Sequence, residues 1–305
     1  MMQKMEREKF LNLPTKEIAG IIRSGGSRVC VFPFNGTRRW FLLEHEQESH
    51  EDPVKAYIEL TSKAYIKIYK MLFDYGLDTV VAPIFGGELL NRGDEYMEQI
   101  GAGLKLLAEH PYFVEFYERY DVRVHFYGDY RKELSKTSYA YLADIFDDLT
   151  HKTAGNGRHR LFYGVFGSDA TETIAELSVE YHQRMKRIPK RRDLIELYYG
   201  EYIEKADIFI GFEKFNVFDY PLLGWGEESL YFTLAPSLYM NENLLRNILY
   251  DYIYLRPVQD PDYFTMPKED FYAMRAFYEA NREAAFGIGE IRGGIWYAKP
   301  NGKEG

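Results

Sequence analysis

Residues 31–41, VFPFNGTRRWF, decide how this chain is read. An apolar, strand-like run stops at Asn35-Gly36, and Thr37, Arg38, Arg39 and Trp40 follow at once. Glycine lets a backbone approach a ligand closely, a threonine hydroxyl and free backbone amides donate hydrogen bonds, and paired arginines grip phosphate oxygens in a bidentate way. Those parts suit a diphosphate. The spacing alone leaves open a plainer arrangement, in which the arginines make surface ion pairs and Trp40 fills the core.

Working outward, short β-prone runs recur at 28–34 (RVCVFPF), 79–85 (TVVAPIF), 122–128 (VRVHFYG), 160–166 (RLFYGVF) and 206–212 (ADIFIGF), each with Gly, Asn or Asp within a few residues. Between them, 54–76, 88–111 and 170–185 place apolar residues three and four apart, the spacing of amphipathic helices. Strands without polar alternation, separated by helices, predict an α/β fold: a single domain over 1–300, with a mostly parallel central sheet flanked by helices. In such sheets ligands bind beyond the carboxyl ends of the strands, where Asn35 to Arg39 fall. LYFTLAP (230–236) reads as a last strand, 241–255 and 267–285 as C-terminal helices, and 301–305 as a tail.

Composition limits the functions available. The 305 residues carry 47 acidic against 38 Lys and Arg side chains, a net charge of −9, so no global field draws nucleic acid or an anionic membrane. An anionic ligand must be met by local arginines. The single cysteine, Cys30, excludes an intrachain disulfide and a cysteine-based zinc cluster, and the seven histidines show no paired-ligand spacing. No apolar run approaches the roughly 18–20 residues that span a bilayer, and MMQKMEREKF lacks the apolar stretch of a secretory signal, so the expectation is a cytoplasmic protein without stable membrane insertion. The 27 tyrosines and 21 phenylalanines imply an aromatic core, or an aromatic-lined pocket for a greasy or cationic guest.

Three stretches resemble, in order, the cis-prenyltransferase fold of the undecaprenyl diphosphate synthase type. FNGTRRWF (34–41) imitates its first-strand motif, with Asn35 where that family has aspartate. VRVHFYGDYRKEL (122–134) is similar to its middle strand and Gly-Asp turn, and KTAGNGRHRLFYGVFGSD (152–169) to the strand leading into a diphosphate-contacting glycine loop. The Arg-rich segment with which elongating members hold isopentenyl diphosphate is replaced by GFEKFNVFDYPLLGWGEESLYFT (211–233), which has no arginine. The resemblance therefore implies ionisation of an allylic diphosphate without chain elongation.

A closer resemblance covers nearly the whole chain. It rests on VFPFNGTRRWF, KMLFDYGLDTVVAPIF (70–85), FDDLT (146–150), YYGEYIEKADIFIGF (198–212), FDYPLL (218–223), SLYFTLAPSLYM (229–240), ILYDYIYLR (248–256) and GIWYA (294–298). These are similar to the bacterial diterpene synthase group of the tuberculosinol synthases, also described as tuberculosinyl adenosine transferases, and the kolavelool synthases. That resemblance implies a substrate already cyclised to a halimane- or clerodane-type diterpenyl diphosphate by a separate class II diterpene cyclase. It also implies a homodimer. Capture of the allylic cation by water to give a tertiary alcohol is the first expectation, and transfer to adenosine the alternative. A non-catalytic prenyl-diphosphate-binding subunit is a third reading, to which Asn35 lends weight.

Roles follow from the resemblance. Gly36, Thr37, Arg38 and Arg39 are expected to grip the diphosphate, with Gly167 and Ser168 adding a backbone amide and a hydroxyl. Ser168 reads equally as a helix N-cap. Asn35 stands where relatives have aspartate, a position suited to a catalytic group or to Mg²⁺ beside the diphosphate, and its neutral amide is the weaker ligand. Tyr57 and Tyr96 are candidates to stabilise the cation or position water, and Phe212, Phe215 and Phe218 to wall a hydrocarbon pocket. Core packing competes for each of these aromatic positions.

Overall fold

Strands that bury both faces need cover on both sides, and the chain supplies it. The computed structural model describes residues 5–46, 52–86, 94–167, 170–256 and 261–299, with backbone alone for 94–100. Six strands, β1 (Val29–Val31), β2 (Thr79–Phe85), β3 (Val122–Tyr127), β4 (His159–Val165), β5 (Ile208–Phe212) and β6 (Ser229–Thr233), form one sheet in the order β3-β4-β2-β1-β5-β6. Every pairing is parallel, so all six carboxyl ends share one edge. The predicted strands and helices stand near their predicted positions, with shorter bounds. β1 stops at Val31 because Pro33 has no N–H for the ladder, after Phe32 has donated its own to Val81 O at 2.9 Å.

Side-chain alternation divides the core in two. Cys30, Val80, Ala82, Leu161, Tyr163, Ile208 and Ile210 face one cluster, while Val29, Val31, Val81, Phe162 and Phe209 face the other. The first face is covered by α1 (Arg7–Leu11), α2 (Thr15–Ser24), α4 (Pro53–Asp74), α5 (Asp94–Glu109), α6 (Pro111–Arg119), α8 (Leu142–Thr153) and α11 (Glu242–Tyr254), and the second by α9 (Thr171–Met185) and α10 (Arg191–Tyr199). Between β1 and α4 runs α3 (Thr37–His45), and after β3 the short α7 (Tyr130–Leu134). The long α4 starts cleanly: Pro53 takes the first helical position and the Asp52 carboxylate accepts from the N–H groups of Val54 at 3.1 Å and Lys55 at 3.0 Å.

Most of the aromatic composition is core. Tyr69, Tyr117, Tyr127, Tyr163, Tyr199 and several phenylalanines are buried, and most of the hydroxyls find partners: Tyr117 donates to Leu107 O at 2.8 Å and lies 2.9 Å from the Tyr163 hydroxyl, Tyr127 donates to Asp219 O and Tyr199 to Pro221 O, while the Tyr69 hydroxyl has no partner among the described residues. The C-terminal residues add α12 (Lys268–Ala280) and a hairpin of β7 (Gly289–Arg292) and β8 (Ile295–Ala298). Gly293 and Gly294 both take positive φ at its turn, as a tight two-residue hairpin demands. The hairpin was not anticipated from sequence, and the tail 301–305 lies outside the described residues.

Candidate active site

The residues after β1 are pinned from both sides. Asn35 N–H donates to Ser237 Oγ at 3.0 Å, Ser237 N–H donates to Asn35 O at 3.1 Å, and Ser237 Oγ donates to Pro33 O at 3.2 Å. Gly36 then turns the chain with φ +72°, and a Cβ there would lie 2.6 Å from Phe212 Cε1 and 3.1 Å from Pro236 Cβ. Only glycine meets both demands. The turn launches α3 at Thr37, so what the sequence left as a strand-end loop is the first turn of a helix. That turn contains no acidic side chain, and its N-cap Gly36 has no side chain to cap the helix N–H groups.

The side chains of the turn diverge. Thr37 Oγ1 lies 2.7 Å from the Tyr57 hydroxyl, which joins α3 to α4, and the Tyr57 ring meets Phe41 edge-on at 5.4 Å. Arg38 stands at a cavity of about 640 Å³, counting space open to solvent, that is also lined by Tyr57, Ile58, Thr61, Ser62 and Tyr65 of α4, Ile84 and Phe85 of β2, and Gly103 and Leu107 of α5. Tyr65 stacks on Phe34 at 4.0 Å between centroids. Burial pushes its phenol far up, and the nearby Tyr57 adds to this against a bond from Thr37, so Tyr65 stays a proton donor. Arg39 turns the other way: Nη2 donates to Glu213 Oε2 at 2.6 Å, and the guanidinium sits 4.8 Å over the Phe212 ring.

Asn35, Gly36, Thr37, Arg38, Arg39 and Tyr57 are thus brought together at the carboxyl edge. Gly167 follows β4 on the same edge, two strands away, where a Cβ would meet Tyr127 and the Tyr198 hydroxyl, each at 3.5 Å. Ser168 lies outside the described residues, and Tyr96 falls in α5 with its side chain likewise undescribed. Phe212 packs across β1 from the cavity, Phe215 is half-exposed against Phe232, and Phe218 rests on Phe209 in the second core cluster. Sequence reasoning missed Ile58, Thr61, Ser62 and Tyr65 as lining residues. The available signal was two hydroxyl residues, Thr61 and Ser62, inside the apolar stripe of α4.

Among the described residues no three His, Cys, Asp or Glu side chains form a group that could hold a metal, and Asn35 offers one neutral amide oxygen. The arrangement supplies fixed positive charge and a helix N-terminus beside a cavity whose lining mixes apolar side chains with the hydroxyls of Tyr57, Thr61, Ser62 and Tyr65.

Solved structures place this architecture among the cis-prenyltransferase-like folds. It resembles a probable undecaprenyl diphosphate synthase from Campylobacter jejuni with TM-score 0.54 at 12% identity, over 76% of this chain and 97% of that one. It likewise resembles lavandulyl diphosphate synthase from Lavandula x intermedia, solved with dimethylallyl diphosphate, with TM-score 0.55 at 12% identity over 74% and 94% of the chains. The sequence narrows the class further. The chain is 46% identical over 300 residues to tuberculosinyl adenosine transferase of Mycobacterium tuberculosis, covering 98% of this chain and 100% of that protein. It is 25% identical over 294 residues to (+)-kolavelool synthase of Herpetosiphon aurantiacus, covering 95% and 94%. No family model matches the chain. The chain belongs to the tuberculosinyl adenosine transferase family, and it is an enzyme of the diterpene synthase or diterpenyl transferase type.

Proposed function

We propose that this enzyme ionises a bicyclic diterpenyl diphosphate and passes the diterpenyl group to an uncharged nucleophile, with a nucleoside amine such as that of adenosine as the first candidate. The observation that carries this reading is the juxtaposition of Arg38 and the α3 N-terminus with the apolar cavity between α4, β2 and α5. The allylic C–O bond breaks with its electron pair leaving on the diphosphate. Charge grows on those oxygens as the bond lengthens, so Arg38, Arg39 and the helix N–H groups bind the transition state more strongly than the ground state. The cavity holds the hydrocarbon. The nucleophile's lone pair then forms the new bond, and its proton passes to solvent or to the departing diphosphate. Since no step here builds a ring, the bicyclic substrate comes from a separate class II cyclase.

Sequence alone put water first. The 46% identity to a protein named as an adenosine transferase moves the preference to the nucleoside, while the Thr37–Tyr57 hydroxyl pair, whose Tyr57 lines the cavity, favours water as the second reading. Incubation with a bicyclic diterpenyl diphosphate, with and without adenosine, decides between them. A nucleoside conjugate supports the transferase, and a tertiary alcohol in both mixtures supports the synthase. Diphosphate binding with no product in either mixture overturns both in favour of a non-catalytic subunit.

A further inference from the structure

Phe212, the last residue of β5, and Glu213 just after it hold the first turn of α3 by three contacts. The Phe212 ring fills the space denied to a Cβ at Gly36, its face carries the Arg39 guanidinium at 4.8 Å, and the Glu213 carboxylate accepts from Arg39 Nη2 at 2.6 Å. The pair is half-sheltered, with side-chain exposures of 38% for Arg39 and 18% for Glu213. Glu213 adopts φ +68°, a left-handed conformation that a residue with a Cβ avoids, and its N–H is tied to Thr233 O at 3.1 Å. Glycine would take that backbone without strain. A glutamate kept there, with its carboxylate on an arginine of the diphosphate turn, calls for an explanation beyond the turn itself.

From this geometry we infer that Glu213 is a positioning residue that acts through Arg39: it is the resident counter-ion of that arginine and sets how tightly diphosphate is held. This deepens the proposed function and rests on its diphosphate site. A guanidinium has five N–H donors, and Glu213 engages Arg39 through one nitrogen while Phe212 fixes the plane. Arg39 is thereby pre-aimed, yet part of its charge is already neutralised. An arriving diphosphate must share or displace the carboxylate, and the two anions repel across the same guanidinium. After the allylic bond breaks, Glu213 stands ready to retake Arg39 as the diphosphate departs. The carboxylate gives up ground-state affinity for easier release of the product anion.

The test measures binding of inorganic diphosphate by calorimetry to the full chain, for wild type, Glu213→Gln, Glu213→Gly, Arg39→Ala and the Arg39→Ala/Glu213→Gln double variant. Glu213→Gly relaxes the backbone and so keeps the test alive if the glutamine variant folds poorly. Removal of the charge is expected to tighten diphosphate about three- to tenfold, as one unit charge at this separation would. In the Arg39→Ala background the gain is expected to fall below about twofold. In turnover, KM for the diterpenyl diphosphate should drop while kcat does not rise. A residue that only braced the fold would move the melting temperature and leave the diphosphate Kd alone. Unchanged or weaker binding in both Glu213 variants overturns the inference while leaving the diphosphate site standing. A full gain that persists without Arg39 also overturns it. If wild type and every variant fail to bind diphosphate, this inference and the site reading fall together.

Discussion

The two edges of the central sheet are built on opposite principles. At the amino edge, Arg23, Arg123 and Arg160 are closed into networks of acceptors, while Arg28 makes one such bond and keeps a buried Nε without a partner among the described residues. Arg23 donates from two nitrogens to Asp78 at 2.7 Å each, and His159 Nδ1 lies 3.0 Å from the same carboxylate. Arg28 pairs with Asp207 at 3.0 Å. Arg160 reaches Thr79 Oγ1, Glu201, Tyr202 O and Glu204, with Glu201 also held by Arg123 at 3.0 Å. At the carboxyl edge, positive-φ glycines such as Gly36 and Gly128 bring backbones close, and Arg39 is held by a single bond to Glu213. Saturated charges stabilise a fold and have little left for a ligand. Charges with donors to spare can answer an anion that arrives late. On the proposed function, the same residue type serves stability at one end of six strands and chemistry at the other.

The sharpest attempt to break this contrast is Arg38→Ala. Loss of a charge-assisted grip on a developing anion is expected to cost about 2–4 kcal/mol of barrier, roughly 30- to 1000-fold in turnover, with little change in melting temperature. Near-normal turnover would move the diphosphate site elsewhere. The mirror experiment is Arg160→Ala, expected to remove about 2 kcal/mol of folding stability by leaving Glu201 and Glu204 short of a partner. Denaturant titration reads that loss, and kcat/KM for the surviving folded enzyme should match wild type. A catalytic defect at full stability would erase the division of labour.

Asn35→Asp sharpens the carboxyl edge. The side chains are nearly isosteric, so stability should hold, while a carboxylate is a much better hard-cation ligand than an amide. Turnover is expected to rise at least about tenfold, near 1.4 kcal/mol, and to become more sensitive to chelator. Equal rates and equal Mg²⁺ titration curves for the two forms would make Asn35 a spectator. The smallest effect belongs to Asp78→Asn. Burial pushes the Asp78 carboxyl up, and Arg23 and His159 outweigh it to bring it down to about 2. A carboxyl depressed on folding stabilises above its unfolded value and loses that contribution as pH falls through the folded one. With solvent screening, the substitution should cost about 1 kcal/mol at neutral pH. Its deficit against wild type, followed by denaturant titration, should close between about pH 4 and pH 2. A deficit that does not change with pH would show that the Asp78 charge contributes nothing.

What the sequence determined by itself was whatever short-range pattern can encode. Apolar runs such as TVVAPIF and ADIFIGF mark strands buried on both faces, the three-and-four spacing between them marks helices, and together they dictate a parallel sheet whose carboxyl edge lies beyond Val31. Asn35-Gly36 followed by two arginines points to the proposed anion site because a tight turn and fixed cations are local chemistry. The partners of those residues were settled only by strand order. Adjacency of β1 to β5 seats Glu213 on Arg39 across 174 residues, and adjacency of β1 to β2 brings Phe85 to the same cavity as Arg38 and Tyr65. Neither pairing leaves a periodic trace in the chain, because contact across a sheet depends on which strands become neighbours and not on what precedes or follows each residue in sequence.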